Sequence, residues 1–120
     1  MRGIRARGRR VKPEAGRMNQ LETRYAEMLE AGKRTKPAEV AGWRFEAVKL
    51  RLADKTFYTP DFQVMRPDGL IEFHEVKGHW EDDARVKVKV AAEQFPEYRF
   101  VGVTFDRRAG WKYEQFGNEE

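Results

Sequence analysis

Two extended runs joined by a turn with little conformational choice constrain this chain more than any other feature. Phe57 to Met65 and Leu70 to Lys77 are rich in aromatic and β-branched residues, and between them lies Arg66-Pro67-Asp68-Gly69. Proline presets φ for the second position of a turn and glycine accepts the positive φ that closes one. The segment therefore predicts a tight reversal between antiparallel strands. Upstream, Trp43, Phe45, Leu50 and Leu52 keep a strand-like rhythm that breaks near Ala47 and Val48, where a bulge or bend is expected. The three runs make an antiparallel meander.

Helical signals flank the meander. Leu21, Tyr25, Met28 and Leu29 recur at helical spacing, Asn19 can serve as N-cap and Gly32 as stop, which predicts a helix over 19–31. The basic segment Lys33 to Ala41 contains Pro37 and reads as a loop. In Asp82 to Phe95 the valines 86, 88 and 90 alternate as in a strand, but Ala84, Val88, Ala91, Ala92 and Phe95 also share one helical face. The Asp82-Asp83 start suits a helix N-terminus, so helix is preferred. Tyr98 to Phe105 alternates as a further strand. The expected fold is α/β, a mixed sheet flanked by helices. The segment from Arg107, with Trp111, Tyr113 and Phe116, is expected to pack on the body or on a second subunit.

One hundred and twenty residues suit one domain with one modest core. Residues 1–16 join glycine, arginine and proline with few apolar side chains and read as a flexible basic arm, which leaves 17–120 as the single folded domain. Charged residues are 37% of the chain and its net charge is +4, with Arg5, Arg7, Arg9, Arg10, Lys12 and Arg17 crowded at the start, where a polyanion would bind. The absence of cysteine excludes disulfides, thiolate metal sites and a cysteine nucleophile, and fits a reducing, cytoplasmic setting. No apolar run reaches the roughly 20 residues of a membrane span, so no membrane association is expected.

The chemistry lies at the meander. Alternation puts Glu75 and Lys77 on one face of the returning strand, and the turn brings Asp61, which follows Pro60, to the neighbouring strand. Two carboxylates can share one hard cation, magnesium or manganese, with the Val76 carbonyl, water and a phosphate completing its oxygen ligands. Lys77 can orient an attacking water or offset charge building on phosphorus. A Glu-x-Lys on a sheet is alone a common solvated ion pair. It is the join of Pro-Asp, hairpin and Glu-Val-Lys that points to metal-dependent phosphodiester hydrolysis on DNA. Lys87 and Lys89 can line a DNA path, as can Arg107 and Arg108. His74, opposite Glu75, reads as a packed or surface histidine, and Trp80 as a core anchor. His79 is a weak candidate for approaching the phosphate.

Pro60-Asp61 and Glu75-Val76-Lys77 resemble the PD-(D/E)xK nuclease superfamily. The leading helix with Asn19-Gln20-Leu21-Glu22 is similar to that of archaeal-type Holliday junction resolvases and related small phage endonucleases. The resemblance covers about residues 17–105 and is specific only at the motif positions. It implies a restriction-endonuclease-like core, and a homodimer that nicks branched double-stranded DNA. It also implies that Glu22 joins Asp61 and Glu75 at the magnesium. Glu27 and Glu30, farther from the apolar stripe, read as solvated. The longer insertion Lys33 to Trp43 departs from the junction resolvases. Other nicking or flap endonucleases of the superfamily, and a silent DNA-binding module of the same fold, are the alternatives.

Overall fold

Asn19 opens the first helix by a reciprocal cap: its Oδ1 accepts the Glu22 amide at 2.7 Å, and the Glu22 carboxylate accepts the Asn19 amide at 2.9 Å. The helix, α1, runs Gln20–Gly32 in the computed structural model, which describes residues 16–117. The arm residues Arg5, Arg7, Arg9, Arg10 and Lys12 lie outside the described residues. Because the cap satisfies two amide donors at once, Asn19→Ala is expected to cost about 1 kcal/mol, and thermal denaturation should show a fall of about 5 °C.

Seven strands follow among the described residues: β1 (Gly42–Phe45), β2 (Leu50–Ala53), β3 (Thr56–Tyr58), β4 (Phe62–Met65), β5 (Ile71–Val76), β6 (Arg99–Asp106) and β7 (Gly110–Phe116), with a second helix, α2 (Asp82–Gln94), between β5 and β6. Five strands form one sheet in the order β1-β4-β5-β6-β7. Its first three strands are the antiparallel meander, with Phe62 opposite His74 and Phe45 opposite Phe62. The turn closes as its residues require: Gly69 stands at φ 92° and its amide donates to the Arg66 carbonyl at 2.9 Å. β6 lies parallel to β5, reached through α2, and β7 returns antiparallel to β6, so the sheet is mixed.

Several expectations change. The run from Trp43 to Leu52 is two strands, because the chain leaves the sheet after Phe45 through Glu46 at φ 49°. The run from Phe57 to Met65 is also two: β3 pairs with β2 in a separate hairpin, and Thr59-Pro60, where proline has no amide to donate, carries the chain back into the sheet. The C-terminal segment is itself a sheet strand, β7. Glu30 is not merely solvated; it accepts the Trp43 indole N–H at 2.9 Å and ties α1 to β1.

Each face of the sheet has its own core. Tyr25, Ala26 and Leu29 of α1 cover Phe62, Val64, Val76, Val101 and Val103, with Tyr25 edge-on to Phe62 at 5.5 Å. On the other face Val88, Ala91 and Ala92 of α2, with Leu52 and Tyr58 of the hairpin, cover Phe73, Phe100 and Phe116. Full burial of such an aliphatic or aromatic side chain is worth about 2 kcal/mol, which is why spacing by threes and fours outweighed the valine alternation in α2. Val86, off that face, is 58% exposed. No helix among the described residues is long and apolar enough to cross a membrane.

Candidate active site

The meander register brings Asp61, at the entrance of β4, against the end of β5. Asp61 Oδ2 accepts the Val76 amide at 2.8 Å, and the Asp61 amide reaches Glu75 Oε1 at 3.3 Å. Glu75 Oε1 also accepts the Tyr58 hydroxyl at 2.7 Å, while Lys77 Nζ stands 3.4 Å from Glu75 Oε2. An extended residue projects its N–H and C=O from the same edge of the strand, so the Val76 carbonyl leaves β5 on the Asp61 side. Four of the predicted residues, Asp61, Glu75, Val76 and Lys77, therefore meet at one place.

Glu22 joins them only through space. It is buried, and its charge is felt at Asp61, but one of its carboxylate oxygens is held by the Asn19 cap. Among the described residues no three His, Asp or Glu side chains form a ready-made metal cluster. Arg17, Lys87 and Lys89 are exposed. Arg107 and Arg108 lie in the exposed turn between β6 and β7.

The two carboxylates are uncomfortable neighbours. Burial raises the Asp61 carboxyl well above its ordinary range, and the negative charges of Glu75 and Glu22 raise it further against the pull of the Val76 amide. Burial likewise raises Glu75, with the Tyr58 hydroxyl and Lys77 opposing. Burial and the charge of Glu75 push the Tyr58 hydroxyl far above the tyrosine range, so it serves as a fixed donor. Two buried acids that resist ionisation, with one ammonium beside them and no described donor on Asp61 Oδ1, have the oxygen-rich, charge-deficient character that a hard divalent cation satisfies. Asp61, Glu75 and the Val76 carbonyl are the oxygens suited to hold it.

Tyr58 is a neighbour of the candidate site that the sequence reading missed. Its only signal was its place three residues before Asp61. His74 is packed, as expected, but within a network that pattern alone does not disclose. It is 1% exposed, with Nδ1 2.6 Å from the Tyr25 hydroxyl and Nε2 2.8 Å from Glu72. Burial lowers the His74 pKa against the opposing pull of Glu72, and burial raises Tyr25, so a neutral imidazole accepts from Tyr25 at Nδ1 and donates to Glu72 from Nε2. Glu72 also receives Arg66 at 3.0 Å and lies 3.6 Å from Arg99. Trp80, expected as a core anchor, packs on Phe116 at 5.7 Å but stays half-buried.

Comparison of the chain with protein-family models, with curated proteins and with solved structures finds no match.

Proposed function

We propose that this protein is a magnesium-dependent endonuclease of the PD-(D/E)xK type acting on branched double-stranded DNA, in the manner of a Holliday junction resolvase. The observation that carries the reading is the convergence across one hairpin of Pro60-Asp61 with Glu75-Val76-Lys77, where an Asp61 oxygen takes the Val76 amide at 2.8 Å and Lys77 stands 3.4 Å from Glu75. The restriction-endonuclease-like core is part of the proposal, supported by a helix-first α/β order and by a mixed sheet whose meander carries the motif.

A bound divalent cation supplies a polarised phosphate and a water of lowered pKa. The chain's own groups do the rest. Tyr58 pins Glu75 Oε1 and so fixes the carboxylate plane; the Val76 amide does the same for Asp61. Lys77, held by Glu75 at the rim, is half-buried and able to orient water or offset the charge growing on the phosphate oxygens. Glu22 acts from behind, by its charge at Asp61.

A small site of this kind reads no bases, so selectivity rests on the shape and bend of the duplex, gripped by the arginine-rich arm and by a two-fold pairing of sites in a homodimer. Digestion of a four-way junction, a flap, a linear duplex and a single strand in parallel, with magnesium, separates the possibilities. Junction cleavage in paired nicks supports the resolvase reading, and preference for the flap moves the protein to the flap nucleases. DNA binding without any magnesium-dependent cut leaves a silent binding module. Deletion of residues 1–12 is expected to weaken junction binding and to flatten its dependence on salt, with thermal stability unchanged, since each lost phosphate contact removes about 0.9 from the logarithmic salt slope.

A further inference from the structure

Immediately beyond the acidic pair the sheet opens into a groove of about 490 Å³ that the hydrolytic chemistry does not use. The Lys77 amide donates to the Val103 carbonyl at 2.9 Å, the last link between β5 and β6, and Gly78 and Thr104, the next residues on the two chains, both line the groove. It therefore begins one residue past Lys77. Trp80 lines it from the segment before α2, Arg85 from the first turn of α2, and Lys112 from β7. Gly102 makes it possible: a Cβ there would stand 2.8 Å from the Trp80 ring and 3.0 Å from Phe116, so only glycine lets the indole settle on the sheet.

Its lining balances Arg85 and Lys112 against Asp106 and Glu114, and its aromatic and guanidinium faces suit a flat ligand with a phosphate beside it. Both carboxylates on its lining have partners within the protein. Glu114 pairs with Arg85, and Asp106 accepts the amides of Arg108 and Ala109 at 2.7 and 3.0 Å. Lys112 and His79 are exposed there. The Arg85 guanidinium lies 5.9 Å from the Trp80 ring centre and 5.5 Å from that of Phe116, giving an aromatic and cationic wall. Aromatic and guanidinium planes beside cations are the common means of holding unpaired nucleotides, because every base has a π-face and every link a charge. The volume lies within the range of ligand-binding clefts.

We infer that this groove holds an unpaired nucleotide of the DNA strand next to the phosphate being cut, stacking its base on the Trp80 and Arg85 wall and its backbone against Lys112. The inference rests on the nuclease reading for its ligand. It adds that the protein prefers DNA in which the strand beside the cut is unpaired, as at a branch point.

Fluorescence anisotropy with the full chain in EDTA tests it, using two duplexes of equal length, one blunt and one with a short single-stranded tail. The native protein should bind the tailed duplex about tenfold more tightly. Trp80→Ala and Lys112→Ala should each remove most of that difference while leaving blunt-duplex affinity nearly unchanged. Lys112 is exposed, so its variant decides the matter if Trp80→Ala fails to fold. Equal binding of the two duplexes by the native protein, or a tail preference that survives Lys112→Ala, overturns the groove assignment. Neither outcome bears on cleavage, which is scored separately with magnesium: a chain that prefers tails but never cuts keeps the groove and loses the nuclease.

Discussion

Asp61→Asn should reduce magnesium-dependent cleavage by about 100- to 1,000-fold and at the same time make the metal-free protein more stable at pH 8. The first effect is that of removing one preorganised charged group from a phosphoryl-transfer site. The second follows from the raised carboxyl. A group protonated more readily in the folded state than in the unfolded chain loses stability for the protein as pH climbs from the ordinary carboxylate range toward its folded value. Asparagine keeps the shape, still offers an oxygen to the Val76 amide and removes the charge that Glu75 and Glu22 repel. Magnesium should narrow the gap by stabilising only the native protein. A variant that cuts at the native rate, or one less stable than the native protein without metal, removes Asp61 from the site.

The other large effect belongs to Glu72. Burial pushes its carboxyl up, yet hydrogen bonds from His74 and Arg66 outweigh burial and hold it at about 2. Glu72→Ala deprives His74 Nε2 and the Arg66 guanidinium of their shared acceptor inside the α1 face of the sheet. Removing one member of such a buried charged network costs about 3 kcal/mol, and the melting temperature should fall by more than 10 °C. Glu72→Gln, which keeps an acceptor oxygen, should lose less. Since the folded pKa lies below the unfolded one, this stability is present above the ordinary glutamate range and is lost as pH falls toward 2. Asp61 and Glu75 act with the opposite sign. The metal-free protein should therefore be most stable at mildly acidic pH, and added magnesium should move that maximum toward neutrality. Melting curves from pH 3 to 9 with EDTA or magnesium check this; a metal-free optimum at pH 8 is incompatible with it.

The parts of this molecule that were legible in its sequence are those where local chemistry leaves one solution. Pro67 and Gly69 dictate the turn, Asn19 the helix start, and the threefold and fourfold spacing of Val88, Ala91 and Ala92 the buried face of α2. With the turn in place, register alone carries Asp61 to Val76. What remained hidden depends on long-range partners. Leu50, Leu52 and Tyr58 read as strand residues, but nothing local says that they form a separate hairpin over α2; that follows from the exit at Glu46 and the missing amide at Pro60. β7 is a strand with most of its residues exposed, so its alternation is weak, and only pairing with β6 defines it. The same holds for Tyr58 on Glu75 and Tyr25 on His74, contacts across 17 and 49 residues of sequence.

Direct titration with manganese, read by calorimetry on the native chain and on Asp61→Asn and Glu75→Gln, asks whether these two carboxylates hold a hard cation. One saturable binding event should appear in the native protein near neutral pH and weaken at least tenfold in each variant, with both variants folded. Native-strength manganese binding in either variant, or none in the native chain, means that Asp61 and Glu75 are a buried structural pair and not a metal site.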